Sequence, residues 1–222
     1  MKRLPLLLLP GLLCDAAVWT HQRAALAHVV DCSIPDYGDL DTIAAMAEAA
    51  LAAAPPGPLL VAGHSMGGRV ALEIVRLAQS RIQGLALLDT GTEPLAEGMA
   101  GEQERARRMA LLEIARQEGM RSMGQQWAQS MVHPARVGTP VFEDILAMIE
   151  RSTPGRFAAQ LHALLGRPDA RPVFAAVTCP TLLACGRQDT WSPLERHERM
   201  QQALPHARLV PVENAGHMTT ME

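Results

Sequence analysis

The stretch LLVAGHSMGGRVALE, residues 59–73, decides how this chain folds. Leu59 to Gly63 is a short apolar run of the kind that forms a buried strand, and apolar residues recur at helical spacing from Met66 to Gln79. Ser65 stands where strand becomes helix, inside the pattern Gly63-His64-Ser65-Met66-Gly67. A serine on so sharp a turn is strained, and side chains two residues before and after it would clash, which glycine at 63 and 67 relieves. Gly68 extends the permissive patch. The arrangement lifts a nucleophilic hydroxyl above the carboxyl edge of a parallel sheet.

Outward from this stretch, short apolar runs alternate with helical patterns, the order of βαβ units. Strands are expected at Leu4 to Leu9, Val29 to Ile34, Leu85 to Leu88, Thr181 to Cys185 and Ala207 to Val212. Helices are expected at Ala16 to Ala27 and from Thr42 to Ala53, the second opened by Asp41 as N-cap and stopped by Pro55-Pro56-Gly57-Pro58. Ser192-Pro193-Leu194-Glu195 reads as a capping box with proline at the first helical position. From Glu93 to Ala170 no strand-like run occurs, charges of both signs are dense and methionines accumulate. The expected fold is therefore α/β, about six mostly parallel strands flanked by helices. Residues 1–92 and 171–222 would form the core, and residues 93–170 a helical cap inserted in it.

Composition narrows the function. The 222 residues are 48% hydrophobic, enough for an ordinary core, and their formal net charge of −3 comes from interspersed charges. No basic footprint for nucleic acid or anionic lipid is present, so the expected partner is a small-molecule substrate, with no nucleic acid and no membrane. The oligomeric state stays open, a homodimer among the options. Cys14, Cys32, Cys179 and Cys185 have neither metal-ligand spacing nor disulfide density, which favours a reducing, cytoplasmic setting. Lys2, Arg3 and the apolar run to Leu13 before Cys14 imitate a secretory or lipoprotein signal. Pro5, Pro10 and Gly11 interrupt that run, and it reads better as a buried strand ending at a tight turn.

A serine hydroxyl at neutral pH is a weak nucleophile and needs a histidine base held by an acid. Of eight histidines, His217 follows the last expected strand in the loop Asn214 to Met218, where the sheet edge would present it to Ser65. His64 should pack beneath the serine turn. His21, His28, His197 and His206 read as solvated surface, and His133 and His162 could touch substrate. The acid should follow a strand between serine and histidine in the chain. Asp189, in the loop after Thr181 to Cys185, is the first candidate, and Asp89, ending the strand after the serine's helix, is the second. Backbone N–H groups of Met66 and Leu12 are the candidates for holding an oxyanion.

The segments LLLLPGLL, LLVAGHSMGGRVALE, LLACGRQDTWSP and VENAGHMTTME together resemble the α/β-hydrolase superfamily. Within it they are similar to small bacterial esterases and lactonases of the 3-oxoadipate enol-lactonase-like and pimeloyl-ester carboxylesterase-like kind. The resemblance covers residues 4–92 and 172–222 and carries the Ser65–Asp189–His217 assignment. It implies a serine hydrolase cleaving a small ester, lactone or thioester, with no metal or organic cofactor. Pro10-Gly11 stands where the family has His-Gly, the N-terminal strand pair is absent, and no final helix follows His217. That last departure leaves part of the sheet or the His217 loop uncovered unless a partner or further residues supply the helix. Met66-Gly67-Gly68-Arg69 also resembles the serine turn of a menaquinone-pathway synthase, where an arginine binds a substrate carboxylate. The alternatives are therefore a lyase or synthase using the same residues as a base, or a non-catalytic binding protein on the same scaffold.

Substrate choice should rest with residues 93–170. Met120, Met123, Trp127 and Met131 recur at near-helical spacing, and flexible thioethers can line an acyl pocket. Arg69, Trp127 and Met123 are the candidate substrate-binding residues. Glu104 and Arg108, four apart, read as a solvated helix pair.

Overall fold

The computed structural model describes residues 3–222; Lys2, the basic start of the signal-like run, lies outside the described residues. Six strands, β1 (Leu4–Leu9), β2 (Val30–Ser33), β3 (Leu59–His64), β4 (Ile82–Leu88), β5 (Thr181–Gly186) and β6 (Arg208–Val212), form one sheet. Every neighbouring pair is parallel, in the order β2-β1-β3-β4-β5-β6. The central strands are continuous apolar runs because both faces are covered; Leu9 of β1 and Leu59 of β3 are fully buried. The chain steps from β1 outward to β2, then returns across β1 to β3. A crevice opens at such a reversal, beyond the carboxyl ends of the strands. Gly11 after β1 and Ser65 after β3 flank it.

Helices α1 (Thr20–Leu26), α2 (Ile43–Ala53), α3 (Met66–Ala78) and α9 (Leu194–Ala203) flank the sheet. The expected helix from Ala16 is broken, a 3-10 turn at Ala16–Trp19 preceding α1. Thr42, not Asp41, caps α2, because its extended backbone lets Oγ1 accept from the Ala45 N–H at 3.1 Å. Ser192 does not cap α9, which begins at Leu194 without a side-chain cap. Its hydroxyl donates instead to the Thr90 carbonyl, tying the β5 loop to the end of β4.

Between β4 and β5 lie α4 (Gly98–Glu118), α5 (Met120–Ala128), α6 (Pro140–Glu150), α7 (Pro154–Leu165) and the short α8 (Arg171–Ala175), with no strand among them. Gly119, at φ +91°, separates α4 from α5. Gly124 brings α5 close to Leu146 and Ile149 of α6, and Met123 is fully buried in the same core. The segment after α5 is tied to the loop after β6, whose His217 and Met218 N–H groups both donate to the Met131 carbonyl. That loop is covered without a further helix: Ala215, Met218 and Thr220 are buried, while β6 at the sheet edge is only half-buried. The Glu222 carboxylate accepts from Gly216 N–H at 2.8 Å and His133 N–H at 2.7 Å.

Candidate active site

Ser65 occupies the step from β3 to α3 with φ +53°, in the left-handed region that side chains avoid. Crowding accounts for the neighbouring glycines. A Cβ on Gly63 would stand 2.2 Å from the Gly67 carbonyl oxygen, and one on Gly67 would stand 2.0 Å from that of Leu9. The turn is held from the β4 side, where Ser65 N–H donates to the Leu88 carbonyl at 2.9 Å and the Thr90 hydroxyl donates to the Ser65 carbonyl at 2.7 Å. Such strain persists only where surrounding structure over-determines it.

Three side chains from three strand ends meet in one chain of hydrogen bonds. Ser65 Oγ lies 2.8 Å from His217 Nε2, and His217 Nδ1 lies 2.8 Å from Asp189 Oδ2. With Nδ1–H donating to the carboxylate, Nε2 is left to accept from the serine hydroxyl. The other Asp189 oxygen accepts from the N–H groups of Trp191 and Ser192 at 2.8 and 2.9 Å. Burial pushes the Asp189 carboxyl up, but the His217 charge and these hydrogen bonds outweigh it and hold it below the usual range. Burial pushes His217 down, yet the facing Asp189 outweighs this and leaves it above an ordinary histidine. The arrangement can take a proton from the serine hydroxyl and stabilise the imidazolium that results.

Asp89 is not a simple turn residue. It is buried at φ +50°, accepts from Gly186 N–H at 3.1 Å and from the Thr219 hydroxyl, and stands 3.6 Å from His64 Nε2. It thus pins β4 to β5 and to the loop carrying His217. Burial raises its carboxyl to about 8, and the nearby Asp189 charge works in the same direction. Asp89, Cys185 and Asp189 place ligand-type atoms within 4.8 Å of one another. Both carboxylates already accept hydrogen bonds from the protein, and the Cys185 thiol donates to carbonyls of Gly186 and Ser192.

His64 packs beneath the serine turn as expected and donates from Nε2 to the His217 carbonyl at 2.8 Å. Burial, with repulsion from His217, pulls its pKa down to about 4. His197 departs from the expected surface position: it is fully buried, its Nε2 accepting from Thr90 N–H at 3.2 Å. It faces inward because α9 packs on β5 and β6, and helical periodicity in so polar a segment did not reveal that face.

Ser65, His217, Leu12 and Met66 line one cleft of about 650 Å³, as do Arg69, Trp127, Met131 and Trp191. Among the described residues the N–H groups of Leu12 and Met66 meet no acceptor. Trp127 stacks edge-on against Trp191 with ring centres 6.2 Å apart, and Trp191 Nε1–H donates to Ser130 Oγ at 3.1 Å. Met123 does not line the cleft: α5 turns it toward α6, one helical turn from Trp127, so it supports the wall from behind. Nor do His133 and His162 reach it. Glu104 and Arg108 do pair at 2.9 Å, but they are mostly buried in the cleft wall, where Glu104 is also held by Arg167 at 2.8 Å, rather than forming a solvated pair. Glu93, Arg107, Arg167, Trp191 and Arg196 also line the cleft and carried no sequence signal, since they come from elements far apart in the chain.

The sequence profile of the alpha/beta hydrolase family matches residues 6–222. The chain is 28% identical to the pimeloyl-[acyl-carrier protein] methyl ester esterase of Nitrosomonas europaea, over 96% of this chain and 88% of that protein. It is 27% identical to the 2-succinyl-6-hydroxy-2,4-cyclohexadiene-1-carboxylate synthase of Klebsiella pneumoniae, over 70% of this chain and 59% of that protein. The solved structure of a thermophilic esterase from Thermogutta terrifontis superposes with a TM-score of 0.85 at 28% identity, over 100% of this chain and 85% of that one.

Proposed function

This chain belongs to the alpha/beta hydrolase family, and from that premise we propose that it cleaves a small carboxylic ester, lactone or thioester through an acyl-enzyme on Ser65. The observation that carries the proposal is the hydrogen-bonded chain from Ser65 Oγ through His217 to Asp189. His217 Nε2 takes the hydroxyl proton as Oγ attacks the carbonyl carbon, and the N–H groups of Leu12 and Met66 receive the developing oxyanion. Collapse of the tetrahedral adduct expels the alcohol, thiol or ring oxygen, which takes its proton from the His217 imidazolium. Water activated by His217 then attacks the acyl-serine, and Ser65 recovers its proton.

Residues 93–170 act in this proposal as a cap, with Trp127 and Met131 meeting the acyl group near Ser65. The similarity to esterases over nearly the whole chain supports ester cleavage. A second reading keeps the same residues but uses His217 and Ser65 as a base for elimination; Arg69 in the cleft and the similarity to a synthase favour it. Among the described residues no helix is long and apolar enough to cross a membrane.

Labelling with a fluorophosphonate probe, read by intact mass, tests the proposal. One adduct on the wild type, lost in Ser65→Ala and slowed in His217→Ala, is expected, together with turnover of short-chain esters. A labelled protein that turns over no ester, lactone or thioester would move the elimination reading forward. Folded wild type that takes no label would sink both.

A further inference from the structure

Among the described residues four other than glycine stand at positive φ: Leu13, Ser65, Asp89 and Asn214. Ser65 and Asp89 belong to the site already described, and Asn214 is in the loop that carries His217. Leu13, at φ +58°, ends the turn Pro10–Leu13 after β1. Leucine gains nothing in the left-handed region, so the surrounding structure must hold it there. The turn lies directly against the nucleophile. A Cβ on Gly11 would stand 2.8 Å from His64 Nδ1 and 3.2 Å from Ser65 Cβ, and Leu12, the next residue, lines the cleft. Leu12 N–H, proposed above to receive the oxyanion, therefore owes its direction to the backbone on either side of it.

What holds Leu13 comes from the other end of the chain. Its N–H donates to Gln160 Oε1 at 2.8 Å, a buried bond between residues 147 apart in sequence. Gln160 sits in α7 among Phe157, Leu161 and Leu164, all buried, and is itself only 6% exposed. A polar side chain on the apolar face of a helix is costly unless bonded, and so is a buried backbone N–H; here each satisfies the other. The end of α6 is tied to the same region, Arg151 Nε–H donating to Asp15 Oδ2 at 2.7 Å. We infer that Gln160 is a positioning residue for ester cleavage: by holding the Leu12–Leu13 peptide in its left-handed turn, it aims Leu12 N–H at the oxyanion. Gln160 is not among the residues that line the cleft, so it acts through Leu12. The inference rests on the ester-cleaving reading and gives residues 93–170 a second task, completing the oxyanion turn as well as meeting the acyl group.

The experiment measures kcat and KM for a short-chain p-nitrophenyl ester in wild type, Gln160→Met and Gln160→Glu, with thermal melts to show that each is folded. Methionine keeps the length of glutamine but offers only a weak sulfur acceptor, so kcat should fall by about ten- to a hundredfold, part of what losing an oxyanion donor outright costs. Acylation and deacylation each pass through an oxyanion, so both slow together and KM should stay within about twofold. Glutamate returns an acceptor oxygen at the same reach and should keep kcat within about fivefold of wild type. Wild-type kcat in Gln160→Met, a change confined to KM, or a Gln160→Glu enzyme as slow as Gln160→Met overturns the inference. If Gln160→Met does not fold, Gln160→Leu, shorter and also without an acceptor, is held to the same expectations. The rate of fluorophosphonate labelling should fall in Gln160→Met too, because the phosphoryl oxygen takes the same N–H groups. Wild type that labels and cleaves ester, with both rates unchanged in Gln160→Met, discards the positioning role and leaves the hydrolase. Wild type that neither labels nor cleaves ester discards the hydrolase reading and this inference with it.

Discussion

Replacing Asp89 by asparagine should flatten the pH dependence of stability. The carboxyl is buried, and burial moves it from 3.8 in a solvated chain to about 8 in the fold. Because the folded value is raised, the native state holds a proton that the unfolded chain has lost between those limits. The associated stability is complete below the unfolded value and drains away as pH rises through the folded one, at about 1.4 kcal/mol per pH unit. Between about pH 5 and about pH 8 the wild type should therefore lose on the order of 3–4 kcal/mol that the variant keeps. The exchange is otherwise mild. Asn tolerates φ +50° better than most residues, its carbonyl can still accept from Gly186 N–H, and its amide can donate to Thr219 Oγ1. Urea unfolding of both proteins across the window measures the difference and cancels groups they share. A difference constant to within about 1 kcal/mol would show that Asp89 is already ionised at pH 5 and refute the reasoning.

Asp189→Asn should lower kcat by about 10³–10⁴-fold with little change in KM, and should move the low-pH limb of kcat/KM to lower pH. The wild-type limb reflects His217, raised by its facing carboxylate, so activity falls as acid protonates Nε2; identical limbs in both proteins would contradict this. Gly67→Ala should cost several kcal/mol or prevent folding, because its methyl would stand 2.0 Å from the Leu9 carbonyl oxygen, and a thermal melt within a few degrees of wild type would count against that crowding. Met123→Ala should lose about 2–5 kcal/mol in urea unfolding while KM for short esters stays within about twofold, whereas Trp127→Ala should change KM; a KM effect from Met123 alone would return it to the cleft.

Much of this protein was legible in one dimension. Strand periodicity located all six strands to within a few residues, because apolar runs bounded by Pro, Gly and Asp are local signals. The glycines around Ser65 announced its strained turn, and chain order placed Asp189 and His217 at strand ends, where a parallel sheet brings carboxyl ends together. Caps were less legible: Asp41 and Thr42 offer similar oxygens, and only backbone angles decided that Thr42 bonds to Ala45 N–H.

Which face of a helix meets the cleft required the tertiary structure. Met123 and Trp127 share a stripe of α5, and the approach of α6 at Gly124 sends one into the core while the other meets Trp191. His197 looked solvated in a polar segment until packing on β5 and β6 buried it. Asp89 looked like a strand-ending turn, and its grip on Gly186 and Thr219 exists only because distant strands end side by side. The five arginines that line the cleft come from α3, α4, the segment after α7, and α9, which are far apart in the chain. Local chemistry determined the strands, the serine turn and the residues that could join it. Long-range packing decided which charges lie together, because electrostatic balance depends on distance in space and not along the chain.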